Sequence, residues 1–164
     1  MIRPDLGDLP LSYVAPGVGS LVVLLGLSLH NALRPMHYPA APAWQRGGIV
    51  ALTLAATGAI ALFAPAHGVV EASESFMSHV SPCLFLGLLV GLPVYLLLRL
   101  LDRGSTAAGL IAACAAGLMG NLVLSLHCPR NDAEHLMAAH FAVALLFVVG
   151  FGAAHWVVER IRKR

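Results

Sequence analysis

Long apolar runs along this chain are separated by short polar or proline-rich breaks. The runs occupy Tyr13 to Leu33, Gly47 to Pro65, Cys83 to Leu101, Thr106 to Leu126 and Leu136 to Val158. Each matches the roughly 20 residues that carry an α-helix across the hydrocarbon core of a bilayer. Pro35, Pro39 and Pro42 break the chain after the first run, and Asp102 to Ser105 reads as a tight turn. Pro129, Asn131 and Asp132 give the last run a ready N-cap. Within the runs the only charge is Arg99, close enough to an end for its side chain to snorkel to the headgroups. The pattern predicts an all-α fold: a polytopic transmembrane helical bundle of five spans, forming a single integral membrane domain over residues 1–164.

Composition agrees. Hydrophobic residues make up 59% of the chain and charged residues 11%, where soluble domains carry roughly a quarter charged. A net charge of +2 without a basic stripe gives no reason to expect direct contact with nucleic acid. The first twelve residues place Asp5 and Asp8 against Arg3, unlike the basic start of a signal peptide, so the first run is expected to stay in the mature protein.

The distribution of basic residues predicts the orientation. With the N-terminus outside, the inner segments hold Arg34, Arg46, Arg99, Arg103, Arg160, Arg162, Lys163 and Arg164, and only Arg3 and Arg130 lie outside. By the positive-inside rule the chain is N-out and C-in.

Small residues recur at four-residue spacing on two spans: Gly87 and Gly91 on the third, and Gly109, Ala113 and Gly117 on the fourth, continuing to Asn121. Such faces let helix backbones approach closely, and here they are expected to pack the bundle itself. Asn121 is expected to hydrogen-bond a neighbouring helix.

One region is rich in chemistry. Under the predicted topology Met77, His79, Cys83, His127, Cys128, His135, Met137 and His140 all lie at the outer ends of the last three spans. At about 1.5 Å per residue, Cys83 to Leu101 climbs about 27 Å and Thr106 to Cys128 about 33 Å, so two antiparallel neighbours bring both thiols to one rim. Three readings stay open. Cys83 and Cys128 can form a disulfide across an oxidising outer face. One or both can bind a soft metal ion, zinc or copper, with His79, His127, His135 or His140 as partners. Or the group is interfacial, bonded to headgroups, water or backbone. Cys114, among alanines and glycines, behaves as a small hydrophobe and has no assigned role. His30 and His155 are conceivable haem ligands near the inner ends of the first and fifth spans.

No phosphate loop, G-x-S-x-G, H-E-x-x-H or pair of intramembrane carboxylates is present, so an enzyme is not expected. Nor does a pair of interrupted, repeated helices suggest transport.

From Cys83 onward a set of features occurs in a familiar order. Cys83-Leu84 starts a span, Pro93 sits within it and Leu98-Arg99 near its inner end; then come the small-residue span from Gly109 to Gly120, Leu126-His127-Cys128-Pro129, and a final helix with a basic tail. This half of the chain, Cys83 to about Trp156, resembles the carboxy-terminal half of the NrsF family of membrane-embedded anti-sigma factors. The resemblance implies a negative regulator in the bacterial inner membrane that holds an extracytoplasmic-function sigma factor on the cytoplasmic side. Cys83 and Cys128 would be its redox or sensing pair. The chain differs from the family's usual pattern in showing five spans rather than six, and in carrying His140 where an aromatic residue is commoner. The alternative is a metal- or haem-binding membrane protein of another system.

Overall fold

The computed structural model describes residues 9–34, 39, 41–65, 76–101 and 106–162. The described residues are helical throughout, apart from short connections. α1 spans Leu11–Ala32, α2 Ala43–Leu62, α3 Phe76–Leu101 and α4 Thr106–His127. α5 runs over residues 133–162 as one winding of α and π turns: α over Ala133–His135, π over Leu136–Phe141, α over Ala142–Leu145, π over Leu146–Phe151 and α over Gly152–Arg162. Five of these stretches are long and apolar enough to cross a membrane, as the apolar runs predict. The turn Asp102 to Ser105, the segment 66–75 with Glu71 and Glu74, and the chain ends with Asp5, Asp8, Lys163 and Arg164 lie outside the described residues.

The helix ends differ from the apolar runs for one physical reason. A helix needs backbone hydrogen bonds, not apolar side chains, so it continues into the polar residues beside a membrane surface. α3 begins at Phe76 rather than Cys83, taking in Ser78, His79 and Ser81. Cys83 therefore lies two turns inside the helix. α2 starts at Ala43, immediately after Pro42, and ends at Leu62, before Pro65.

α4 is the axis of the bundle. Of its membrane-length window, 67% is buried, against 17% to 22% for α1, α2 and α3 and 44% for the fifth stretch. Its side chains explain this: Ala112, Ala113, Ala115, Ala116, Gly117 and Gly120 are buried and small, so four helices can close around it. Large apolar side chains such as Leu89, Leu97 and Leu100 on α3 and Val22 and Val23 on α1 point outward, as expected of surfaces that face lipid.

The glycines show how closely the backbones meet. A Cβ on Gly120 would stand 2.6 Å from the Gly87 carbonyl oxygen, and one on Gly91 would stand 2.7 Å from the Ala116 carbonyl oxygen and 2.5 Å from the Phe147 ring. α3 and α4 thus touch backbone to backbone at two levels a turn apart. Gly117 serves α5 instead, its missing Cβ being 2.9 Å from Ala144 Cα. Gly87, Gly91 and Gly117 each face a neighbouring helix, Gly109 is buried, and Gly120, outside the four-residue row, makes a backbone contact closer than those of Gly91 and Gly117.

One expectation is corrected. Asn121 donates from Nδ2 to the Gly117 carbonyl oxygen one turn earlier in its own helix, at 3.0 Å, rather than to a neighbouring helix. Thr57 and Asn31 bond back to Thr53 and Leu27 in the same way, at 2.9 Å and 2.8 Å. In an apolar surrounding the nearest acceptor is the carbonyl one turn back, and the short side chain reaches it without moving a helix.

Candidate functional site

The site is built where α3, the end of α4 and the start of α5 converge. Cys83 sits on α3 one turn before Gly87, and Cys128 is the first residue past α4. The close backbone contact at Gly87 and Gly120 draws the two helices together, and the thiols meet with Sγ atoms 3.4 Å apart, the Cys83 S–H directed at Cys128. Both are free thiols, Cys83 partly exposed and Cys128 buried.

The chain then reverses in a few residues. Asp132 caps α5, its Oδ1 accepting the His135 backbone N–H at 2.8 Å, while its Oδ2 lies 3.5 Å from Arg130 Nε. The cap fixes the first turn of α5 and with it the His135 ring, whose Nε2 is 3.1 Å from Cys128 Sγ. His135 is 2% exposed. The sulfur and nitrogen atoms of Cys83, Cys128 and His135 all lie within 4.8 Å of one another, close enough to share a metal ion.

The winding of α5 brings His140 beside His135, at the edge of this group. In a regular α-helix residues five apart point about 140° away from each other. A π turn closes five residues later, which narrows that angle to about 50°. With π winding over Leu136–Phe141, the rings of His135 and His140 meet edge to face, centroids 5.8 Å apart, both buried.

These neighbours set the charge state of Cys128. The hydrogen bond from Cys83 lowers its pKa most; burial opposes this, and the His135 and His140 imidazoles add to the lowering. Cys83 thus donates the S–H···S bond and Cys128 accepts it, an arrangement that favours the thiolate form at Cys128.

Of the other candidate ligands, His140 lies outside the 4.8 Å set but against His135, and two more lie away from it. His127 is exposed, and its Nδ1 lies 2.9 Å from the Val123 carbonyl oxygen, turned from the site. Consecutive residues at a helix end point about 100° apart, so His127 and Cys128 cannot face the same neighbour. His79 lies on α3, one turn before Cys83, half-buried and outside the close group. Met77 is exposed, Met137 half-buried. His30 is exposed on α1, and the His155 side chain lies outside the described residues.

Sequence reading also missed a small pocket beside the site. It has about 30 Å³ of room, enough for a water, and Tyr13, Ser125, Asn131 and His140 contribute its polar lining. The Tyr13 hydroxyl donates to the Ile60 carbonyl oxygen at 3.0 Å across its mouth, tying α1 to α2. No spacing signals it, because its walls come from four separate segments of the chain.

Comparison with protein-family models, with curated proteins and with solved structures finds no match for this chain.

Proposed function

We propose that this chain is a membrane-embedded negative regulator of the NrsF anti-sigma type. It lies in a bacterial inner membrane, N-out and C-in, with an extracytoplasmic-function sigma factor as its cytoplasmic partner. The observation that carries this reading is the contact of Cys83 with Cys128, 3.4 Å apart at the point where α3, α4 and α5 converge. A change in chemical state at that point acts on three helices at once.

The coupling is mechanical. α3 and α4 meet backbone to backbone at Gly87–Gly120 and at Gly91–Ala116, a contact with no soft side chain to absorb a shift. Packed interfaces of this kind move between discrete arrangements rather than deforming smoothly. A shift at the thiols therefore reaches the far ends of the same helices, where Arg99 and the basic residues after Gly152 stand to meet a cytoplasmic partner.

Affinity purification from mild detergent, with and without reductant, tests the reading. A small sigma factor should elute with the chain in one thiol state and be released in the other, and Cys83→Ser should hold the complex in one state. If no sigma factor copurifies in either state, the anti-sigma reading is wrong.

A further inference from the structure

We infer that Cys83, Cys128, His135 and His140 form a four-ligand site for a divalent zinc ion at the outer rim of the bundle. The inference rests on the reading above that this centre is the protein's sensing site, and it names what is sensed.

Geometry comes first. Tetrahedral zinc, with bonds of about 2.3 Å to sulfur and about 2.0 Å to nitrogen, needs S···S near 3.8 Å and S···N near 3.5 Å, all approximate. Here the sulfurs are 3.4 Å apart and Cys128 Sγ is 3.1 Å from His135 Nε2. Each pair has to open by only a few tenths of an ångström. The fourth position falls to His140, whose ring stands edge-on against that of His135, centroids 5.8 Å apart.

Charge selects among soft metals. The site is buried, with Cys128, His135 and His140 at 4%, 2% and 4% exposure. Two thiolates and two neutral imidazoles around a divalent ion make a neutral complex. A monovalent copper ion in the same shell leaves one net negative charge, and Arg130, close enough to act on Cys83, is already paired with Asp132. Burying an uncompensated charge is costly, so the donors favour zinc over cuprous copper. Binding releases the thiol protons to solvent and needs no oxidant.

The ligands also hold their orientation without the ion. Asp132 fixes the start of α5, the π turn fixes the angle between the two rings, and the glycine contact fixes the spacing of the thiols. Only Cys83 is partly exposed, which gives the ion one open side to arrive from.

The test uses the whole reduced chain in detergent, titrated with zinc against a chromophoric chelator and, separately, with cobalt(II) as a spectroscopic stand-in. We expect one zinc per chain, and a cobalt spectrum with thiolate charge-transfer bands and the strong visible bands of a tetrahedral site. Cys128→Ser should remove the charge transfer. His135→Ala and His140→Ala should each weaken zinc by at least about 10-fold, whereas His127→Ala should leave it unchanged. If the cysteine variants do not fold, His140→Gln, whose amide fills similar space, carries the test alone. Wild-type affinity in both histidine variants, no thiolate band, or a preference for cuprous copper over zinc overturns the inference. Zinc binding without sigma-factor capture would sink the regulatory reading alone, and sigma-factor capture without zinc would sink this inference alone.

Discussion

Gly120 and Gly87 meet with no side chain between them: a Cβ added to Gly120 would lie 2.6 Å from the Gly87 carbonyl oxygen. That distance is a backbone contact, so neither partner can swing away. Gly120→Ala is expected to part α3 from α4, costing about 1 to 3 kcal/mol as overpacking does. Gly117→Leu should cost at least as much, since its neighbour is Ala144 Cα on α5. Thermal unfolding in detergent reads both, and an unchanged midpoint in both would mean that these faces do not pack.

The same contact positions the thiols, which yields a second prediction. Mild oxidation of the purified chain should join Cys83 to Cys128 within one molecule, each sulfur losing its hydrogen to the added oxidant as the 3.4 Å gap closes to a bond of about 2.05 Å. Intact mass and thiol alkylation after denaturation report it. Gly120→Ala should slow the reaction, while Cys114, buried in α4, should stay free in every case. Cross-linked dimers as the main product would contradict the geometry.

A third prediction follows from the lowered pKa of Cys128. Alkylation requires the thiolate, so in chelator Cys128 should keep reacting as pH falls below the range where an ordinary thiol of pKa near 8.5 stops. Its slow absolute rate will reflect burial, but the midpoint of the pH profile reads the pKa. The sign for stability is the same. With the folded pKa below the unfolded one, Cys128 contributes stability that is fully present above the unfolded value and is lost as pH falls through the folded one. His135→Ala should move the alkylation midpoint upward; a midpoint at the ordinary thiol value in the wild type would contradict the lowering.

Orientation is the fourth. In a variant whose native cysteines are serine, Glu134→Cys should label from outside intact cells and Ile161→Cys should not; both positions are exposed. The reverse result would place the thiol centre on the cytoplasmic side.

Much of this architecture was legible in the sequence, because apolar length and helix breakers are local. Five spans, the Asp132 cap and the meeting of Cys83 with Cys128 all follow from counting residues along single helices and across one tight turn. The choice among histidines does not. His79, His127, His135 and His140 are equivalent by composition and compartment. What separates them is the rotation of each helix end about its own axis, and for His140 a change of winding that no hydrophobic period announces. Gly120 escapes the spacing rule for a similar reason, since it lies off the four-residue row of Gly109, Ala113 and Gly117 and meets α3 where Gly117 meets α5.

The winding of α5 has a consequence for its whole length. Its buried positions run in pairs four residues apart: His135 and Leu136, Ala139 and His140, Val143 and Ala144, Phe147 and Val148. On a regular α-helix a four-residue row creeps around the barrel by about 40° per step, or about 120° between His135 and Phe147. A uniform α5 would turn its seam toward lipid before its midpoint was far behind. Each π turn winds the other way by a similar angle, so alternating the two, as over Leu136–Phe141 and Leu146–Phe151, keeps the seam straight. The same bookkeeping of turns that brings two imidazoles together at one end thus keeps Phe147 pressed on Gly91 three turns away, and a single-residue deletion in either wide turn would unseat both ends of the helix from one face.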